Sequence, residues 1–176
     1  MKIVGIDASL TGTGVAVLNG SLHTETIQSK KTGTERLIEI RERIRDIVNG
    51  ADLVVLEDYA FSRPNQAHQI GELGGVLRVL FHEMGVKVLL VSTGQVKKFA
   101  SGKGTADKRD IAIAVYKRFG QEFKTSDETD AFVLAKIGQA YHPGLYYEGM
   151  TAFQHEVIDA LKSGKKPKKE TKKMAV

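Results

Sequence analysis

Cysteine is absent from all 176 residues of the chain. Its absence excludes disulfides, a thiol nucleophile and cysteine-bound zinc. No run of about 18 apolar residues occurs, so neither a membrane span nor a membrane partner is expected. Met1-Lys2 leads straight into an apolar stretch, so a secretory leader is not expected and a cytoplasmic location is. Histidine is sparse: His23, His68, His82, His142 and His155 are scattered, with no metal-ligand spacing. Net positive charge is also missing from most of the chain. The formal net charge is +5, but residues 162–173 hold seven lysines against one glutamate, which leaves the remainder near −1. A basic tail on a nearly neutral body suits a polyanion such as nucleic acid, or merely a solubilised end.

What is present is enough for one α/β domain. The apolar fraction is 41%, sufficient for a sizeable core at this length. Ile3, Val4 and Ile6 form a short apolar run that ends on Asp7. A turn of small residues follows, then a second apolar run from Gly14 to Leu18, the hairpin signal Asn19-Gly20, and an alternating strand over 22–27. Residues 1–28 therefore read as a three-stranded antiparallel meander. Leu37, Ile40, Ile44, Ile47 and Val48 share one face of a helix over 34–48. Asp52-Leu53-Val54-Val55-Leu56-Glu57 is again an apolar strand ending on a carboxylate.

An irregular segment holding Tyr59, Phe61, Arg63 and Pro64 precedes a helix over about 66–84, interrupted by Gly71, Gly74 and Gly75. Each glycine costs that helix about 1 kcal/mol relative to alanine, so a strand, a partner subunit or a phosphate is expected to approach it closely. A strand over 87–91 follows, and Ser92 caps a short helix to residue 100. After the loop Ser101-Gly102-Lys103-Gly104-Thr105, a helix capped by Thr105 is expected over 106–119. A last core helix capped by Ser126 is expected over 127–141. Phe153, Val157, Ile158 and Leu161 suit one more amphipathic helix. The folded domain is expected to span 1–162, with a C-terminal extension from 145, and 163–176 to be a disordered lysine-rich tail. The order implies a mixed sheet with helices packed on it.

Four carboxylates stand out by position. Asp7 and Glu57 end buried-type strands, where α/β sheets tend to open a site; Asp7 reads equally well as a turn residue. Asp127 and Asp130, three apart, share one side of the last core helix. The helix dipole accounts for an acid in the first turn, Asp127 or Glu128. It does not account for Asp130, beside Ala131 and Leu134. Clustered acids repel unless cations neutralise them, and ligands that are all oxygen select Mg²⁺ or Mn²⁺. Two such ions about 3.5–4 Å apart serve phosphodiester hydrolysis, one generating the attacking hydroxide and the other stabilising the leaving 3′ oxygen.

These residues carry a family resemblance. Gly5-Ile6-Asp7 with its small turn, Val55-Leu56-Glu57 with aromatics behind it, and Asp127-Glu128-Thr129-Asp130-Ala131 resemble the RuvC family of Holliday junction resolvases. So does Gln95-Val96-Lys97-Lys98 leading into Gly102-Lys103-Gly104-Thr105-Ala106-Asp107-Lys108. The resemblance covers residues 1 to about 142. It implies an RNase H-like fold, a mixed five-stranded sheet (the antiparallel meander plus two parallel strands) flanked by helices, and a homodimer that nicks opposing strands of a four-way DNA junction. It implies that Asp7, Glu57, Asp127 and Asp130 bind two Mg²⁺ ions, with Mn²⁺ able to substitute. It makes Lys108, and then Lys103, phosphate contacts near the cut, and Lys97 and Lys98 backbone contacts. An aromatic that stacks on unpaired bases is implied at Tyr59 or Phe61, with Arg63 beside it on the DNA-binding side. The segment from Glu57 to Gly71 is shorter than the usual pattern, and residues 145–176 run beyond the usual core. Action on forks and flaps, as in some phage relatives, therefore stays open.

Two readings from other classes remain beside this one. Thr11-Gly12-Thr13-Gly14 after Asp7 resembles the first phosphate loop of actin-like ATPases and sugar kinases, although their two lobes need a longer chain. A non-catalytic DNA-binding module is the other.

Overall fold

The computed structural model of the chain describes residues 1–58, 67–145 and 147–164. Five strands form one sheet: β1 (Ile3–Asp7), β2 (Thr13–Leu18), β3 (Leu22–Ile27), β4 (Leu53–Asp58) and β5 (Val88–Ser92). Their spatial order is β3-β2-β1-β4-β5. β1–β2 and β2–β3 pair antiparallel, whereas β1–β4 and β4–β5 pair parallel. The meander and the two added parallel strands are therefore as expected. The helices are α1 (Gly33–Val48), α2 (Ala67–Glu83), α3 (Thr93–Ser101), α4 (Lys108–Phe119), α5 (Ser126–Tyr141) and α6 (Ala152–Lys162). Among the described residues no helix is long and apolar enough to cross a membrane.

Side-chain alternation along the central strands sorts the core into two layers. Val4, Ile6, Val54 and Leu56 pack with Ile40, Ile44 and Val48 of α1 and Leu73, Leu77, Leu80 and Phe81 of α2. Ile3, Leu53 and Val55 pack on the opposite face with α3, α4, α5 and α6. Parity then decides where the terminal acids point. Asp7 shares a face with Ile3 and Gly5, and Glu57 shares one with Leu53 and Val55, so both lie on the α5 side of the sheet.

Helix α5 lies almost on the backbone of the sheet, and glycine permits it. A Cβ on Gly5 would stand 2.2 Å from the Ala131 carbonyl oxygen, and one on Gly14 would stand 2.0 Å from that of Asp127. From the helix side, a Cβ on Gly138 would meet Val55 Cγ2 at 2.6 Å. At Gly5 and Gly14 strand and helix backbones thus approach directly, and at Gly138 the helix backbone rests on the side chains of Val55 and Ile3.

Two expected caps are displaced. Asp107, not Thr105, caps α4, its carboxylate accepting from the Asp110 amide at 2.8 Å. Thr125, not Ser126, caps α5 and accepts from the Glu128 amide at 3.1 Å. Ser126 is engaged instead by the Lys108 ammonium, 2.8 Å away. Ser92 caps α3 as expected, with Gln95 closing a reciprocal capping box. Glycines 71 and 75 of α2 face open space, with nothing within 4 Å of an added Cβ. Among the described residues the close approach expected there is not made at these two positions, whereas Gly74, between them, is buried.

Overpacking a tight contact typically costs about 1–3 kcal/mol, and a clash with backbone rather than a flexible side chain belongs at the upper end. Gly5→Ala and Gly14→Ala are each predicted to destabilise the fold by about 2 kcal/mol or more, read from urea unfolding midpoints. Midpoints equal to that of the parent chain would show that α5 does not rest on these positions.

Candidate active site

Asp7 occupies the last position of β1, paired in register with Gly14. The parallel ladder places Ile6 opposite Leu56, so Glu57 follows immediately beside Asp7. The N-terminus of α5 sits over the start of β2, with Asp127 Oδ2 only 2.9 Å from where a Cβ on Gly12 would stand. One turn on, Asp130 points to the same side. All four sequence-expected acids are therefore brought together at the ends of β1 and β4 and the beginning of α5.

Their proximity registers in their protonation. Burial first, then the charges of Glu57, Asp130 and Asp127, push Asp7 well above the ordinary carboxylate range, with Lys108 opposing. Asp130 is raised to about 6 by burial and by Glu57, while Lys108 and Lys97 act in the other direction. Among the described residues no three acids close on a common point as a finished metal cage. The cluster nonetheless consists only of hard oxygen donors in mutual repulsion, which fits a divalent cation of the Mg²⁺ class.

Cationic side chains approach from α3 and α4. Lys108 Nζ lies 4.0 Å from Asp127 Oδ1 and is largely exposed. Lys97 is close enough to act on Asp130. Lys98 is engaged elsewhere, in an ion pair with Glu156 of α6 at 2.6 Å. Lys103 is exposed in the loop before α4. Tyr59, Phe61 and Arg63 lie outside the described residues.

Other residues hold the cluster in place. Glu128 and Asp58, sequence neighbours of the site acids, turn away from the cluster. Asp58 pairs with Arg78 at 3.0 Å. Glu128 is buried and accepts hydrogen bonds from Thr24 Oγ1 at 2.9 Å and Thr26 Oγ1 at 3.2 Å. This clasp ties the first turn of α5 to β3. Thr93, the first residue of α3, donates its hydroxyl proton to Glu57. Sequence reasoning missed Thr93; the signal was the parallel register Glu57↔Val91, which becomes legible only once β4 and β5 are paired.

The same geometry bears on the phosphate-loop reading of residues 11–14. The space above Gly12 and Gly14 is filled by Asp127, so this turn receives the helix rather than a nucleotide.

A family model described as "Crossover junction endodeoxyribonuclease RuvC" matches residues 3–137. The chain belongs to the RuvC family. A RuvC from Helicobacter hepaticus is 31% identical over 153 residues, covering 77% of this chain and 80% of that protein. The structure of Thermus thermophilus RuvC is 28% identical with a TM-score of 0.63, covering 77% of this chain and 91% of that one. T. thermophilus RuvC in complex with a Holliday junction substrate is 26% identical with a TM-score of 0.65, covering 77% of this chain and 90% of that one. The RNase H-like fold expected of a RuvC member is thus the fold observed.

The raised protonation of Asp130 has a consequence for stability. Its folded value, about 6, exceeds the ordinary 3.8. The proton-linked stabilisation is therefore complete below about pH 4 and is lost as the pH rises through about 6, amounting to roughly 2–3 kcal/mol. Asp130→Asn is predicted to flatten this part of the stability–pH curve and to raise the melting temperature of the cation-free protein at neutral pH. A curve parallel to that of the parent chain would contradict the repulsion.

Proposed function

We propose that this RuvC-family chain is a divalent-cation-dependent, structure-selective DNA endonuclease that resolves four-way junctions by paired, symmetric nicks. The observation that carries the proposal is the gathering of Asp7, Glu57, Asp127 and Asp130 beside Lys108 at the ends of the interior strands β1 and β4. Asp7, Glu57, Asp127 and Asp130 would hold two Mg²⁺ ions, or Mn²⁺ in their place, and the bound ions would supply Lewis-acid chemistry at the scissile phosphodiester. The chain's own groups do the remainder. Lys108, exposed beyond Asp127, offers a charge-assisted hydrogen bond to a phosphate oxygen. Lys97 and Lys103 would fix the backbone in register, whatever the base sequence. Lys98 would join them on exchanging Glu156 for a phosphate. Tyr59 or Phe61 would stack on unpaired bases at the crossover, with Arg63 contacting DNA beside it.

Symmetric cutting needs two sites in one particle, and the α1–α2 face supports a homodimer. Leu37, Ile38, Val76 and Val79 line an apolar groove beside Gly75. Ile38 and Val79 are 52% and 57% exposed and share one apolar groove, and a contiguous apolar patch is the kind of surface another chain covers. Glycines 71 and 75, open on this face, would let a second copy's helix approach closely.

The direct test is a Mg²⁺-dependent cleavage assay on a four-way junction, a fork, a flap and plain duplex. Paired nicks confined to the junction are expected. Equal cutting of every branched form would replace this reading with a general debranching activity, and binding without cutting would leave only a binding module. Asp7→Asn is predicted to reduce cleavage by at least about a thousandfold, the scale of losing a principal electrostatic element, while junction affinity stays within a few fold. Loss of both together would make Asp7 structural. Val79→Glu is predicted to shift the protein to a monomer in sedimentation and to uncouple the two nicks. A persisting dimer would place the interface elsewhere.

A further inference from the structure

Away from the acid cluster, a cleft of about 250 Å³ opens where the end of α4, the second half of α5 and the segment leading into α6 meet. Lys136 lies nine residues beyond Asp127 on α5, an axial separation of roughly 13 Å at helical rise. Tyr147 and Gln154, on the other wall, follow residue 137, where the family match ends. The cleft is thus partly built by the C-terminal extension.

The cleft is rich in donors and poor in acceptors. The half-buried Lys136 ammonium sits 5.4–5.8 Å from the ring centres of Phe119, Phe132 and Tyr147. Its hydrogen bond is to neutral Gln139, at 2.9 Å, and it makes no ion pair among the described residues. Burial pulls its pKa down, as expected of a cation lacking a counter-ion. Arg118 lies over the Phe153 ring at 4.9 Å and reaches Thr151 Oγ1 and Gln154 Oε1 only at 3.4 Å. It too makes no ion pair among the described residues. Gln154 is fully buried; its Oε1 accepts from Thr151, and its Nε2 has no acceptor. The Tyr147 phenol, raised to about 12 by burial, is lowered by Arg118 and by that amide, yet no hydrogen bond of normal geometry joins Tyr147 to Nε2. One acid, Glu148, lines the rim, and it is paired with neither cation.

We propose that this cleft is an oxyanion site that takes a phosphate group between Lys136 and Arg118. Two cations without carboxylate partners, beside a buried amide donor without an acceptor, are matched by a compact anion carrying several acceptor oxygens. A dianion would neutralise both cations and recover part of the desolvation of Lys136. Phosphate of this kind reaches the protein either as a free ion or small phosphorylated metabolite, or as the backbone of a nucleic acid strand. The site itself does not depend on the nuclease reading.

The test is titration of the full chain with inorganic phosphate at constant ionic strength, followed by amide and side-chain NMR shifts. Chloride serves as the control, with Arg118→Gln and Lys136→Met as variants. A saturable shift at the Gln154 side-chain amide is expected in the parent chain. Either variant should weaken it about tenfold or more, the scale of one charge-assisted hydrogen bond. Both variants keep the acid cluster intact, and Arg118→Gln alters an exposed side chain, so its folding is secure. Junction-binding salt slopes of the same proteins identify the source. A slope reduced by about one in each variant assigns the site to a DNA phosphate, whereas an unchanged slope, with phosphate binding present in the parent and weakened in the variants, assigns it to a free phosphate. Shifts equal in parent and variants, or no saturable shift in the parent, would overturn the proposal.

Discussion

The direct seating of α5 on the sheet is the contact on which the site depends. A helix normally stands off a sheet by the thickness of its side chains. Here Gly5 and Gly14 on the strands and Gly138 on the helix remove that spacing at three points. As a result the first two turns of α5 arrive level with the ends of β1 and β4, and two helix acids meet two strand acids. The clasp of Glu128 on Thr24 and Thr26 fixes the helix at its N-terminal end. The repulsion among the acids opposes that placement, and the burial of Ala131, Leu134 and Ala135 on the same helix holds it. Fold stability is thereby spent on keeping like charges together, which is intelligible if a cation completes the cluster.

Much of this was legible beforehand, and for specific reasons. Apolar runs that stop on a carboxylate made Asp7 and Glu57 visible. The i, i+3 spacing made Asp127 and Asp130 visible, since Asp130 falls where the helix dipole no longer explains an acid. Period-2 alternation also held the answer to where the strand acids point. What stayed hidden was set by pairings distant in sequence. Thr93 meets Glu57 across a strand register, and Glu156 meets Lys98 from 58 residues away. The cap errors were local competitions between neighbours that are all good caps: Asp107 won over Thr105, and Thr125 over Ser126, because Ser126 is held by Lys108. The glycines at 5, 14 and 138 gave no signal, because a glycine that admits a neighbouring backbone or side chain looks like one that merely turns the chain.

The C-terminal extension changes how the basic residues are viewed. Val157 and Ile158 of α6 are buried in the α3–α5 layer, so this helix is part of the core rather than an appendage in solvent. It also redistributes charge, pairing Glu156 with Lys98, while Lys136 and Arg118 have no acid partner among the described residues. Cations near the acid cluster are thus partly restrained, and a second pair is held ready at the far end of α5.

The central claim is that α5 holds four acids in a repulsive cluster that a divalent cation relieves. The most direct measurement is the melting temperature of the full chain at neutral pH as Mg²⁺ is added at constant ionic strength. The account predicts a saturable rise, following the linkage of ligand binding to stability, and a much smaller one in Asp7→Asn. A melting temperature indifferent to Mg²⁺, or a rise undiminished by Asp7→Asn, would contradict it.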